Sequence, residues 1–398
     1  MTRLEEIAAA LAQASLDGWL FYDFRLSDPI AYRVLGLSDA GTTTRRWFCF
    51  VPARGRPQAL VSAVEPHRLD ALDADRVVYR SHAEMAAGLG WILGDARRVA
   101  MNYSPRGAIP YVSRVDAGTL ELVRSLGIEV ISAADLIQRF EAVLTPAELA
   151  GHRRAGVALR MIVEETLDEI ARLALAGPGT SEVAMQAFAM ERIAAHGLVT
   201  RDPPIVAVNA HSADPHFEPS SANDAPIRRG DFVLLDVWAK EPGPDSIYAD
   251  ITWTASVDER VPDEHARIFA IVSRARDAAI ALVHERVAAG RPVSGAEGDR
   301  AARAVIEEAG FGDAFVHRTG HSIGREVHGM GANLDSMEAP DDRMLIERTC
   351  FSVEPGIYLA GRFGVRSEVN VTIENGRAEV TAGPPQQAVV PLLAPRAS

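Results

Sequence analysis

The sequence predicts two domains: a smaller α/β domain over residues 1–142, then an α+β domain over 143–398 with two similar halves. Three observations carry that reading. Short apolar runs alternate with helical stretches before residue 142. A helix-start signature stands at Thr145. A helix-pair pattern at 173–197 returns at 286–310, the mark of an internal duplication.

The opening segment MTRLEEIAAALAQASL has two glutamates where a secretory signal would be apolar, so it reads as a surface helix. Runs 19–24, 47–53, 57–63, 97–103 and 128–134 read as strands, and 120–126 (LELVRSL) as a helix. Strands interleaved with helices predict a mixed sheet, and no glycine-rich phosphate loop follows any of them. Thr145, Pro146 and Glu148 form a capping box with proline at the first helical position, where its missing N–H costs nothing. The helix they open extends to Ala176, and the turn 177–180 (GPGT) ends it. Ser294 and Glu297 make a second capping box in the repeat. Each helix pair leads into strand-like sequence, so two helix-pair-plus-strand halves bring their strands together in the middle.

The 398 residues leave room for two or three domains. The formal charge of −13, from 41 basic and 54 acidic residues with no basic stretch, argues against nucleic acid or an anionic membrane as partner. No apolar run approaches the roughly 20 residues that span a bilayer. Cys49 and Cys350 both sit among hydrophobes, as buried thiols of a protein in a reducing cytoplasm do.

Five residues suited to hard metal ions lie in strand-like or glycine-flanked settings of the second domain: Asp236, Asp250, His321, Glu354 and Glu368. A carboxylate inside an apolar strand is costly unless paired or coordinated. Period two puts Asp236 on the face of Leu234 and Trp238, and Asp250 on the face of Thr252. The Pro- and Gly-containing connector between these strands predicts a hairpin with the two aspartates side by side. Like charges so placed repel unless a cation lies between them. Pro355 holds Glu354 extended, and alternation along 365–372 puts Arg366, Glu368 and Asn370 on one face. The glycines at 320 and 324 argue for extended or turning backbone around His321, unlike the helical HExxH of zinc proteases. Oxygen ligands with one imidazole and no thiolate suit Mn²⁺, Co²⁺ or Zn²⁺ in a two-metal site rather than structural zinc. Two such ions about 3.5–4 Å apart would share a hydroxide and polarise a carbonyl.

The order and setting of these residues resemble the pita-bread metallopeptidase superfamily of prolidase, aminopeptidase P and methionine aminopeptidase. The resemblance covers residues 146–380 and is strongest over 200–255 and 313–375. It implies a pita-bread (creatinase/aminopeptidase-like) catalytic domain preceded by a creatinase-N-like domain serving dimerisation and pocket closure. It implies that Asp236, Asp250, His321, Glu354 and Glu368 ligate two divalent metals per subunit, Mn favoured, with Asp250 and Glu368 bridging. Glu354 would also shuttle a proton, and His216 and His328 would stabilise the tetrahedral intermediate and handle the scissile nitrogen. Arg366 matches the supporting arginine, and His317 a further pocket histidine. The chain departs from the pattern at Trp238, where glycine is usual, in a longer hairpin connector, and in Val-Asn after Glu368.

The expected activity is hydrolysis of X–Pro bonds by an Xaa-Pro dipeptidase (prolidase), with an aminopeptidase P acting on longer peptides as the alternative. A dipeptidase must read the substrate's free carboxylate; Arg362 is the candidate, with Arg325 the alternative. A creatinase-like amidinohydrolase or a non-catalytic module on the same fold would lack the ligand set, and all five ligands are present. The resemblance also implies a homodimer.

Overall fold

The computed structural model describes residues 2–37, 42–177 and 179–395. The chain divides into two compact units, Met1–Glu141 and Ala142–Ser398.

The first unit contains helices α1 (Arg3–Gln13), α2 (Pro29–Leu35), α3 (His82–Leu93), α4 (Ala117–Ser125) and α5 (Ala134–Glu141). Its strands are β1 (Gly18–Asp23), β2 (Trp47–Pro52), β3 (Gln58–Ser62), β4 (Asp75–Tyr79), β5 (Arg98–Met101) and β6 (Glu129–Ser132). They form one mixed sheet in the order β4-β3-β2-β1-β5-β6, with only β2 antiparallel to its neighbours. The five sequence-read strands are all present. The edge strand β4 escapes a sequence reading because only Tyr79 of DRVVY is buried, so no apolar alternation marks it. Helix α3 escapes it because Gly88 and Gly90 lie within the helix.

The second unit opens with α6 (Pro146–Ala176), whose Thr145–Glu148 capping box is present as read. There follow β7 (Thr180–Ser181), α7 (Glu182–Ala195), β8 (Ile205–Val208), β9 (Pro226–Ile227), β10 (Phe232–Ala239) and β11 (Ala249–Ser256). Pro178 of the predicted turn lies outside the described residues. The second half has α8 (Asp263–Ala288), α9 (Gly295–Glu308), β12 (Ser322–Ile323), β13 (Cys350–Val353), β14 (Gly356–Leu359), β15 (Phe363–Arg366), β16 (Val369–Glu374), β17 (Arg377–Thr381) and β18 (Val390–Pro391). Each half thus offers a long helix, a 14-residue helix and the strands of one four-stranded sheet, β18-β11-β10-β8 and β12-β13-β16-β17, except that β18 of the second half joins the first half's sheet.

Each sheet has one apolar and one polar face. Val233, Leu235 and Val237 of β10 and Ile251 of β11 pack against Leu159, Ile162 and Val163 of α6. Phe351 and Val371 of the other sheet pack with Ile268 and Val272 of α8 and Ile306 of α9. Trimming such a buried Ile to Ala costs about 2–5 kcal/mol, so these faces fix which side chains point the other way. The polar faces meet where β11 adjoins β16.

Segment 365–372 is not the single strand that its alternation suggests. β15 pairs with β14, whereas β16 pairs with β13 and β17, and Ser367 and Glu368 form the joint. The ladder changes partner there because the Glu368 N–H turns to the Thr252 carbonyl of β11 at 3.5 Å. Among the described residues no helix is long and apolar enough to cross a membrane.

Candidate metal centre

The structure brings the five metal-type residues to the seam between the two sheets. Asp236 and Asp250 come from β10 and β11, His321 precedes β12, Glu354 follows β13, and Glu368 occupies the joint before β16. The aspartates are not side by side. The nine-residue connector pairs Ala239 with Ala249, so Asp236 faces Thr252 and Asp250 faces Trp238. They share a face as diagonal neighbours, with Thr252 between strands at the level of Asp236.

Single ligand atoms of Asp250, His321 and Glu368 lie within 4.8 Å of one another, all buried. His321 Nε2 is 3.7 Å from Asp250 Oδ2 and 3.3 Å from Glu354 Oε1. Its Nδ1 is 3.1 Å from the Ser322 carbonyl, which requires the hydrogen on Nδ1 and leaves the Nε2 lone pair facing the carboxylates. Gly320 is needed here, since a Cβ would fall 2.0 Å from the Ser352 carbonyl oxygen. The close crossing lets the Ser352 hydroxyl accept from the His321 N–H at 2.9 Å and donate to Glu354 Oε1 at 3.0 Å.

Arg366 ties the cluster together. Its Nη2 donates to Asp236 Oδ2, its Nε donates to Thr252 Oγ1 at 2.9 Å, and its Nη1 donates to the Pro215 carbonyl at 3.1 Å. Thr252 Oγ1 lies 3.0 Å from Asp236 Oδ1 and 2.8 Å from Glu368 Oε2. One hydroxyl hydrogen cannot serve both acceptors. In addition, the buried Asp250 Oδ1 and Glu368 Oε1 have no hydrogen-bond partner.

The electrostatics follow from that shortage. Burial raises the pKa of Asp236, with Arg366 opposing it. Burial, then Asp236 and Glu354, raise Asp250 well above the ordinary carboxylate range. Burial, then Asp250 and Glu354, do the same to Glu368. Burial, then Arg318, lower His321 to about 3, so its imidazole is neutral and able to ligate. Crowded buried carboxylates, orphaned oxygens and a free imidazole lone pair are what divalent cations would satisfy, so the residues fit divalent metal. Asp236, Asp250, His321, Glu354 and Glu368 are the residues that would hold them.

The histidines flank this cluster. The His328 ring lies 4.3 Å from that of His321, centroid to centroid, and its pKa is lowered chiefly by His321. His216 is exposed, next to the buried Phe217, and near enough to act electrostatically on both His317 and His328. His317 Nδ1–H donates to the Arg318 carbonyl at 2.7 Å, so Nε2 accepts from Tyr358 Oη at 2.7 Å. Burial lowers His317 to about 4.

Arg362 does not join them. It is more than half exposed and pairs with Glu264 on α8, so its guanidinium is already engaged away from the cluster. Arg325 likewise pairs with Glu148 at 2.7 Å and Asp245 at 3.1 Å.

Sequence reasoning misses several residues of the centre. Thr252 is legible in principle, two positions from Asp250 on the same strand face. Tyr358 Oη, which Arg366 Nη1 approaches to 3.3 Å, reaches the site only through the β14–β15 hairpin, which no spacing reveals. Asn370, placed by alternation on the face of Glu368 but given no role, accepts from the Asp250 N–H at 2.9 Å and donates to the Asp250 carbonyl.

A family model described as metallopeptidase family M24 matches residues 150–375. The chain is 31% identical over 402 residues to the probable dipeptidase PepE of Mycobacterium tuberculosis, covering 98% of this chain and 96% of that protein. It is 37% identical over 180 residues to the Xaa-Pro dipeptidase of Pyrococcus furiosus, covering 44% of this chain and 46% of the relative. The solved structure of dipeptidase PepE from Mycobacterium ulcerans matches with a TM-score of 0.70 at 28% identity, covering 98% of this chain and 97% of that one. The Xaa-Pro dipeptidase from Bacillus anthracis shares the fold, with a TM-score of 0.64 at 20% identity over 98% and 99% of the two chains.

Proposed function

This chain belongs to metallopeptidase family M24, and from that premise we propose that it is a two-metal exopeptidase hydrolysing X-Pro dipeptides. The observation that carries the reading is the set of five ligand-type side chains converging at one seam, with Asp250 Oδ1 and Glu368 Oε1 buried and unpartnered. Two divalent cations held there supply Lewis acidity and a nucleophile at neutral pH.

The protein's own groups do the rest. Asp250 and Glu368 present oxygens toward the same point from β11 and from the joint before β16, and both would hold the cations. Glu354 Oε1 is anchored by Ser352 and lies beside His321, where a carboxylate takes a proton from water and returns it to the leaving nitrogen. His328, with its ring against that of His321, and His216 stabilise charge developing on the scissile carbonyl. Arg366 favours the ionised form of Asp236 against the effect of burial and holds the Pro215 carbonyl, and so steadies the loop bearing His216. Mn²⁺ is the favoured metal, with Co²⁺ or Zn²⁺ as alternatives, and the working form is a cytoplasmic homodimer. Both cysteines are buried and free, in keeping with a reducing compartment.

A panel of X-Pro dipeptides, X-Pro-Y tripeptides and longer peptides, assayed with added Mn²⁺, tests the proposal. Preferential cleavage of dipeptides is expected. Efficient turnover of tripeptides would replace it with the aminopeptidase P reading. No X-Pro cleavage under any metal would overturn both.

A further inference from the structure

We propose that the first unit contains a binding site for a small phosphorylated molecule, independent of the peptidase chemistry. A cavity of about 860 Å³ opens at the carboxyl ends of β1, β3 and β4, where the N-termini of α3 and α4 also arrive. In open α/β sheets this is where ligands are bound, and helix N-termini direct N–H groups and partial positive charge at an anion.

The charge lining the cavity gives the class of ligand. Arg45, Arg46 and Arg80 all line it. Among the described residues none of the three has a carboxylate partner, although acidic residues exceed basic ones by 13 in the chain. Arg153, Arg154 and Arg229, elsewhere in the chain, do pair with glutamates. One carboxylate, Asp116, lines the cavity and a second, Glu65, lies close by, and both are engaged. Glu65 accepts from the Thr44 and Arg45 backbones, and Asp116 accepts from the N–H and hydroxyl of Thr119. Three guanidiniums with no ion pair, Arg45 donating only to the carbonyl and hydroxyl of its neighbour Thr44, suit the oxygens of a phosphate.

The walls indicate an organic body on the phosphate. Tyr22, Phe24, Tyr79 and Leu122 supply apolar and aromatic surface, and Phe24 is 40% exposed at the rim. A cavity of this size holds a molecule of nucleotide dimensions, which would lay a ring on the aromatics and its phosphate among the arginines.

Titration calorimetry on the full, metal-loaded chain tests this with inorganic phosphate, pyrophosphate, AMP and adenosine as probes. AMP is expected to bind saturably and more tightly than phosphate or adenosine. Arg46→Ala and Arg80→Ala should each weaken AMP by about 10-fold or more, with X-Pro dipeptide turnover unchanged. Arg46→Lys, which keeps the charge and loses the fork, should fall in between and guards against misfolding of the alanine variants. Saturable AMP binding unaffected by the arginine substitutions would place the ligand elsewhere, the metal centre included, and overturn the proposal. Equal affinity for adenosine and AMP, or no saturable binding, would overturn it too.

Discussion

Asn370 brackets the backbone of Asp250: its side-chain oxygen accepts from the Asp250 N–H at 2.9 Å and its amide donates to the Asp250 carbonyl. The two residues come from different four-stranded sheets. The bracket therefore sets where β11 lies against β16, and with it the spacing of Asp250 and Glu368. Asn370→Ala removes both bonds from a buried backbone. A loss of about 1–3 kcal/mol in denaturant unfolding is expected, with reduced metal content. Wild-type metal content in a destabilised variant would confine Asn370 to stability alone.

Chelation is expected to abolish peptidase activity, with Mn²⁺ or Co²⁺ restoring it. Binding to the folded state alone should also raise the melting temperature on metal addition. Among single substitutions, Asp250→Ala and Glu368→Ala should lose more metal than His321→Ala, because each carboxylate would contact both ions. Elemental analysis of the purified variants checks the order, and near-complete occupancy in both would contradict bridging.

His216→Ala and His328→Ala should keep two metals and lose kcat by about 10²–10⁴. Metal loss matching that of His321→Ala would show that one of them ligates instead.

Arg362→Ala should change kcat/KM for an X-Pro dipeptide by less than about threefold, since its exposed pairing with Glu264 is of a kind worth only about 0–1 kcal/mol. A tenfold loss on the dipeptide, with none on the X-Pro amide, would restore it as the reader of the substrate carboxylate.

His152 provides a pH test away from the metal centre. It is fully buried on α6, Nδ1–H donating to the Tyr248 carbonyl at 2.7 Å and Nε2 lying 2.7 Å from Thr381 Oγ1. Burial holds its pKa down at about 4, against 6.5 ordinarily. Below 6.5 the unfolded chain takes up a proton that the folded chain refuses, so this contribution is present above pH 6.5. It is lost as the pH falls toward 4, by about 3 kcal/mol over that window. Urea unfolding at pH 7 and pH 5 should show a smaller pH dependence in His152→Gln than in wild type. Identical slopes would dismiss the assignment.

Much of this protein is legible without coordinates because the signals are local. A capping box such as Thr145–Glu148 acts within one helical turn, and the alternation of polar Asp250, Thr252 and Thr254 with apolar Ile251 and Trp253 marks the two faces of 249–256. The five metal-type residues are visible because charge inside an apolar strand is anomalous wherever the strand goes. What sequence could not supply were relationships set by register and by chain reversal. The diagonal of Asp236 and Asp250 depends on a nine-residue connector, and the joint at Ser367–Glu368 on a change of strand partner. Arg362 looks able to reach over the site because Gly361 and the short turn leave its direction open, and Glu264, 98 positions away, decides it. Thr252, Tyr358 and Asn370 enter the centre through contacts spanning 8 to 120 positions. Side-chain type and periodicity determined which residues needed partners; only the packed sheets decided which partners they met, because hydrogen bonds and ion pairs depend on ångström-scale distances that sequence separation does not encode.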